Sequence, residues 1–111
     1  MGICAGAYLG NKFPCIMMQN TGIGNSVNAI VSLLQLYSLP VVLLISHRGT
    51  PGEQVGAQHG MAKVTIDILE TLKIPILNCS SKKDLDRITT FANHAKIMEC
   101  PVAILCDFNL M

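Results

Sequence analysis

Four short apolar runs, each opened by a proline, constrain this chain more than any other feature. They are Pro14-Cys-Ile-Met-Met, Pro40-Val-Val-Leu-Leu-Ile, Pro75-Ile-Leu and Pro101-Val-Ala-Ile-Leu. Proline is tolerated at the first residue of a strand, where its missing N–H costs the ladder little. Continuous rather than alternating apolarity predicts strands covered on both faces, as in a parallel sheet. Segments of helical period lie between the runs. Val27, Ile30, Val31, Leu34 and Tyr37 form one stripe; Ile66, Leu69 and Leu72 form a second; Leu85, Ile88, Phe91, Ala92 and Ala95 form a third. Ser81-Lys-Lys-Asp84 opens the third with a capping-box pattern. With a helix over Gly2 to Leu9 in front, the order is helix, strand, helix, strand, loop, helix, strand, helix, strand. That order predicts an α/β three-layer sandwich on a mostly parallel sheet, with right-handed crossovers. The 111 residues are expected to form a single domain, 1–111.

Half the residues are hydrophobic and only 14% are charged, against about 25% in an average soluble protein. A domain this small cannot coat itself with so few charges, so part of its surface is expected to be buried against a partner. A net charge of +1 gives no basic field for nucleic acid. No apolar run approaches the roughly 20 residues of a membrane-spanning helix. The five cysteines (Cys4, Cys15, Cys79, Cys100 and Cys106) form an odd set without Cys-x-x-Cys spacing. That favours reduced thiols in a cytoplasmic protein over a disulfide scaffold or a zinc site, and no metal ligands are assigned.

Three places carry candidate chemistry. Met18-Gln-Asn-Thr-Gly-Ile-Gly-Asn25 joins a strand to a helix, where glycines allow a tight turn or a close approach of ligand to backbone N–H groups. It is not a full Gly-x-Gly-x-x-Gly, because Val27 stands at the third position, and no Walker lysine follows. An ordinary turn and a ligand loop both fit the spacing. Ser46-His-Arg-Gly49 ends the most apolar strand; Arg48 there suits either a small anion or plain solvent. The segment Gly49 to Gly60 holds four glycines and Pro51 and follows a strand's carboxyl end, where open α/β sheets place ligands. Gln58-His59 closes it, and His59 fits proton exchange or a structural role. No nucleophile elbow supports serine hydrolase chemistry.

Taken as blocks, Gly2-Ile-Cys-Ala-Gly-Ala-Tyr-Leu-Gly10, Met17-Met-Gln-Asn-Thr-Gly-Ile-Gly-Asn25, Leu43-Leu-Ile-Ser-His-Arg-Gly49 and Ala57-Gln-His59 resemble the sulfopyruvate decarboxylases. The likeness is to their alpha subunits, the pyrimidine-binding domain of a thiamine-diphosphate enzyme, and it runs from Gly2 to about Leu110. Phosphonopyruvate decarboxylases share the first two blocks. The resemblance implies decarboxylation of 3-sulfopyruvate to sulfoacetaldehyde and CO2, a step of coenzyme M biosynthesis. Because the loop and Arg48 follow strand carboxyl ends and His59 closes the segment after Arg48, Gln19, Asn20, Thr21, Gly22, Gly24 and Asn25 are expected to line the cofactor or substrate cleft, Arg48 to hold the anionic tail of the 2-keto acid, and His59 to be the catalytic proton shuttle. A beta subunit is expected to supply the Gly-Asp-Gly motif missing here, to hold the diphosphate with Mg²⁺, and to bury roughly 2,000 Å² against this chain. Members of the family carry a cofactor-activating glutamate just before the first block, whereas the first glutamate here is Glu53. The expectation is therefore a chain truncated at its N-terminus, without the first strands of the fold and with apolar surface uncovered. Such a chain is inactive alone. A phosphonopyruvate decarboxylase fragment and a non-catalytic, partner-stabilising subunit are the competing readings.

Overall fold

A computed structural model describes residues 1–107 and Leu110. The elements follow the expected order. Helix α1 (Gly2–Leu9) leads to β1 (Cys15–Gln19), then α2 (Thr21–Ala29), which continues with π-type winding over Ile30–Gln35. Strand β2 (Val42–His47), α3 (Gln58–Thr71) and β3 (Ile76–Cys79) follow. A 3₁₀ turn (Lys82–Arg87) runs into α4 (Ile88–Met98) and then β4 (Val102–Asp107). The four strands form one parallel sheet in the order β1-β2-β4-β3.

Each proline works at the amino end of its strand. The Pro14 carbonyl accepts Val42 N–H at 3.1 Å and the Pro75 carbonyl accepts Ala103 N–H at 2.9 Å, so proline loses a donor but still starts the ladder. Alternate strand residues then face two cores. Leu43, Ile45, Ala103 and Leu105 pack with Ala5, Ile23, Ile30, Leu34 and Leu69 from the first three helices. Val42, Leu77, Val102 and Ile104 pack with Ala95 of α4, flanked by Ile88, Phe91 and Ala92. Helices on both faces of one sheet give the three layers.

Two of the predicted stripes need correction. Val31 and Tyr37 are 44% and 64% exposed rather than buried. From Ile30 the helix relaxes to π winding, with Leu36 N–H bonding the Val31 carbonyl and Leu39 N–H the Leu34 carbonyl. The looser turn rotates the stripe, so Leu33 packs against the core beside Leu34 while Val31 and Tyr37 turn outward. Leu85 is exposed as well, because it lies on the tighter 3₁₀ turn ahead of α4. The capping box itself is formed: Asp84 accepts Ser81 N–H at 2.9 Å.

Helix α4 leaves the β1 side of its face uncovered. Met17 is 77% exposed, and with Leu44, Ser46, Leu85, Cys106 and Leu110 it lines an apolar groove of about 330 Å³. The four helical segments stop in the same way. Asn11, Ser38, Lys73 and Glu99 take left-handed φ of 61°, 52°, 58° and 50°. The N–H of the residue after each reaches five residues back, as in Lys12 to Ala7 and Ile74 to Leu69. No helix among the described residues is long and apolar enough to cross a membrane.

Candidate functional site

The carboxyl edge of the sheet is organised around Asn20. This residue follows β1, is fully enclosed, and bonds the neighbouring chain on both sides. Its Oδ1 accepts Arg48 N–H at 3.2 Å while its Nδ2 donates to the Arg48 carbonyl at 3.0 Å. The amide thus imitates one more residue of β1 and extends the pairing past the strand's end. Nδ2 also reaches Thr65 Oγ1 at 3.3 Å, and that hydroxyl donates to the Met61 carbonyl at 2.6 Å. One side chain therefore ties the β1–α2 turn, the end of β2 and helix α3 together. Both ends of Asn20 are engaged within the chain, so it positions the turn from behind.

Around it, Gln19, Gly24 and Asn25 are exposed and Thr21 and Gly22 half-buried. Thr21 Oγ1 donates to Gln19 Oε1 at 3.1 Å. Neither glycine has a positive φ. A Cβ on Gly22 would press only on the flexible Met18 side chain, and one on Gly24 would make ordinary contact with Met61. Nothing inside the chain demands glycine at these two positions. What their missing side chains leave clear is the outer face of the turn, at the start of α2. The groups offered there are neutral amides, a hydroxyl and backbone N–H. Such a set suits an uncharged ring with donors and acceptors. The described residues contain no cluster of three or more metal-ligating side chains.

Arg48 is not a solvated surface residue. Its Nε and Nη2 grip Glu53 at 2.5 and 2.9 Å, and the Glu53 side chain is only 1% exposed. Glu53 also accepts Val55 N–H at 3.0 Å. The glycine segment is thus strapped to the end of β2 by a bidentate ion pair, with Gly49 (φ 86°) and Gly52 (φ 103°) making the turns. His59, exposed at the start of α3, places Nδ1 3.1 Å from the Gly49 carbonyl. The structure brings Asn20, Arg48 and His59 to one edge, with the first two in direct contact and His59 held through the residue after Arg48. Sequence reasoning passed over Glu53, Thr65 and the pair His47–Asp107. For Glu53 a signal existed: an acidic residue five positions after an arginine in a glycine-rich segment.

The Arg48 guanidinium, and after it Val55 N–H, hold the Glu53 carboxyl down to about 2, while the Arg48 cation is favoured in turn. A carboxylate depressed on folding contributes its full stabilisation above its ordinary value of 4.5 and loses it as pH falls towards 2. Acidification through that window is expected to raise hydrogen exchange at residues 49–57 ahead of the sheet. Glu53→Gln should remove this early step, leaving the portion due to Asp84, whose carboxyl is also lowered by its Ser81 bonds. An acid-induced loosening of the segment that survives Glu53→Gln would contradict the assignment. Burial pushes the Cys15, Cys79, Cys100 and Cys106 thiols up, which disfavours the nucleophilic thiolate at each.

Comparison with known proteins gives a consistent answer. No protein-family model matches the chain. The sulfopyruvate decarboxylase alpha subunit of Methanococcus maripaludis is 43% identical over 108 residues, covering 96% of this chain and 65% of that protein. The corresponding subunit of Methanocaldococcus jannaschii is 41% identical over 107 residues, covering 96% and 63%. The phosphonopyruvate decarboxylase of Streptomyces viridochromogenes is 33% identical over 103 residues, covering 92% of this chain and 24% of that enzyme. The chain spans somewhat under two thirds of the length of the alpha subunits it matches. Over that stretch, which takes in the β1–α2 turn and the strap that faces it, this chain is a homologue of the alpha subunits of sulfopyruvate decarboxylase.

Proposed function

We propose that this chain serves as the alpha-type, pyrimidine-binding part of a thiamine-diphosphate-dependent decarboxylase of 3-sulfopyruvate. The observation that carries the reading is the β1–α2 turn. It stands at the carboxyl edge of a parallel sheet, fixed from behind by Asn20 and open in front at Gly22 and Gly24. Its neutral donors and acceptors fit an aminopyrimidine ring, so Gln19, Thr21 and Asn25 would hold the ring while Asn20 keeps the turn in place. The diphosphate and Mg²⁺ belong on a beta subunit. Bound thiamine supplies a nucleophilic carbon and an electron sink for loss of CO2 from a 2-keto acid; the chain's part is to orient and enclose.

Two side chains take modified roles under this reading. The Arg48 fork is already bidentate with Glu53, so gripping a sulfonate requires Glu53 to yield one or both nitrogens. Glu53 does not replace the activating glutamate of the family, because its carboxylate is enclosed and committed to Arg48. That carboxylate has to come from elsewhere in the assembled protein. His59, exposed and anchored by Nδ1, is the proton carrier on this view. A partner is supported by Met17, Ile97, Leu9 and Ile3, which are 74–91% exposed.

The reading is tested by co-producing the chain with a pyrophosphate-domain subunit and measuring CO2 release from 3-sulfopyruvate with thiamine diphosphate and Mg²⁺. Turnover is expected from the assembled pair, little cofactor binding from the chain alone, and at least a tenfold loss of cofactor affinity in Gly24→Leu. An assembled pair that binds cofactor yet prefers phosphonopyruvate would move the assignment to phosphonopyruvate decarboxylase. One that binds no thiamine diphosphate would end it.

A further inference from the structure

Among the described residues, the buried side-chain polar atoms without a partner are His47 Nε2, Thr50 Oγ1 and Gln58 Oε1. All three fall between the end of β2 and the start of α3, although the buried Asn20 and Thr65 nearby are fully bonded. A buried polar atom left alone is costly, and a cluster of them on one stretch calls for a missing partner. His47 is the most informative. It is the last residue of β2, and its side chain is only 9% exposed. It is paired across the ladder with Asp107, the last residue of β4. Its Nδ1 lies 3.9 Å from Asp107 Oδ1, beyond hydrogen-bond distance, so the carboxylate faces the Nδ1 side of the ring. With a proton on that side Nε2 is an acceptor, and it meets no donor among the described residues.

We propose that His47 is a ligand-contact residue of this edge: Asp107 steadies the imidazole from the Nδ1 side, and Nε2 takes a hydrogen bond from a donor group on the bound molecule. The inference deepens the reading of the site as a thiamine-diphosphate decarboxylase and rests on it. His47 immediately precedes Arg48, whose backbone is bonded on both sides by Asn20, so the imidazole is one residue from the pinned core of the site. His59, by contrast, already has its Nδ1 on the Gly49 carbonyl and its ring in solvent. The chemistry required is a donor, which the amino group of an aminopyrimidine or a hydroxyl offers and a fully ionised sulfo-keto acid does not. Contact requires local opening, since Nε2 is closed off from solvent in the free chain.

The test is nitrogen-15 NMR of the imidazoles in the assembled alpha–beta protein, with thiamine diphosphate and 3-sulfopyruvate added separately, alongside binding isotherms for His47→Phe and His47→Gln. A shift of the His47 Nε2 resonance on adding cofactor, none on adding substrate alone, and a fivefold or greater loss of cofactor affinity in His47→Phe are expected. Among single variants of the parent protein, Asp107→Glu should keep more of the cofactor affinity than Asp107→Ala. Cofactor binding with an unmoved His47 resonance, or with unchanged affinity in both His47 variants, overturns the inference and leaves the proposed function standing. A response to substrate alone transfers the contact away from the cofactor and overturns the donor argument. Absence of any cofactor binding to the unaltered protein overturns both. Should His47→Phe fail to fold, His47→Gln, which keeps a polar side chain, decides.

Discussion

Replacing Asn20 with alanine is expected to destabilise the chain by about 3 kcal/mol, the sum of three lost hydrogen bonds at about 1 kcal/mol each. The substitution removes the Asn20 bonds to the Arg48 carbonyl and to the Arg48 N–H, which also reaches the Ser46 carbonyl at 3.1 Å, and it removes the donor to Thr65 Oγ1, all from a fully enclosed side chain. For a domain of this size the midpoint of thermal unfolding should fall by roughly 10 °C or more. Asn20→Asp is expected to be worse, although it is nearly the same shape. Its second oxygen would face the Arg48 carbonyl where Nδ2 now donates, and the ionised form would be enclosed without a counter-charge in contact. Thr65→Val should cost less than either, because it removes only the third tie. If Asn20→Ala and Asn20→Asp both melt within a few degrees of the parent chain, the turn is not held as described.

The second large effect concerns Gly49. Its φ of 86° lies in the region that side chains rarely enter, and an added Cβ would drive into the Gln58 carbonyl and come within 2.7 Å of Ala62 Cβ. Gly49→Ala should therefore cost about 3 kcal/mol, combining backbone strain with a clash against rigid backbone. The damage should be local at first, lifting the amino end of α3 from β2 and freeing the Arg48–Glu53 strap. Gly56→Ala serves as the control, since nothing lies within 4 Å of its Cβ position and its φ is ordinary. It is expected to stay within about 0.5 kcal/mol of the parent. Urea unfolding of the three proteins measures both values, and equal midpoints for Gly49→Ala and Gly56→Ala would refute the packing argument.

The strands could be read from the chain because two signals coincided at each: a proline that starts a ladder and an apolar run that needs cover on both faces. Helix existence was equally plain, and Gly2–Leu9 was found to the residue. Which side of a helix turns inward was harder. A stripe of Val27, Ile30, Val31, Leu34 and Tyr37 assumes 3.6 residues per turn, and nothing local announces that the winding loosens after Ala29. The site shows the same division. The β1–α2 turn and Arg48 were visible as motifs next to strand ends. The partners that define them were not: Asn20 meets chain 28 and 45 residues away, and such pairings depend on the finished sheet. Glu53 lies only five residues from Arg48, but in a segment without periodicity, where two glycine turns bring it back. His47 drew notice only as part of Ser46-His-Arg-Gly49, because a histidine's value rests on which of its two nitrogens is left without a partner.

The left-handed helix stops have a consequence for anyone altering this protein. None of Asn11, Ser38, Lys73 and Glu99 is glycine, yet all four hold a backbone geometry that glycine adopts freely and that strains other residues by about 1 kcal/mol each. In a fold of alternating strands and helices, each such stop precedes the amino end of the next strand, on the opposite rim from Asn20 and Arg48. Glycine at Ser38, Lys73 or Glu99 therefore offers a way to strengthen the scaffold from below. Gains at separate stops should add, because the positions share no partners. Thermal robustness and ligand chemistry sit on opposite rims of one sheet, so the first can be raised without disturbing the second.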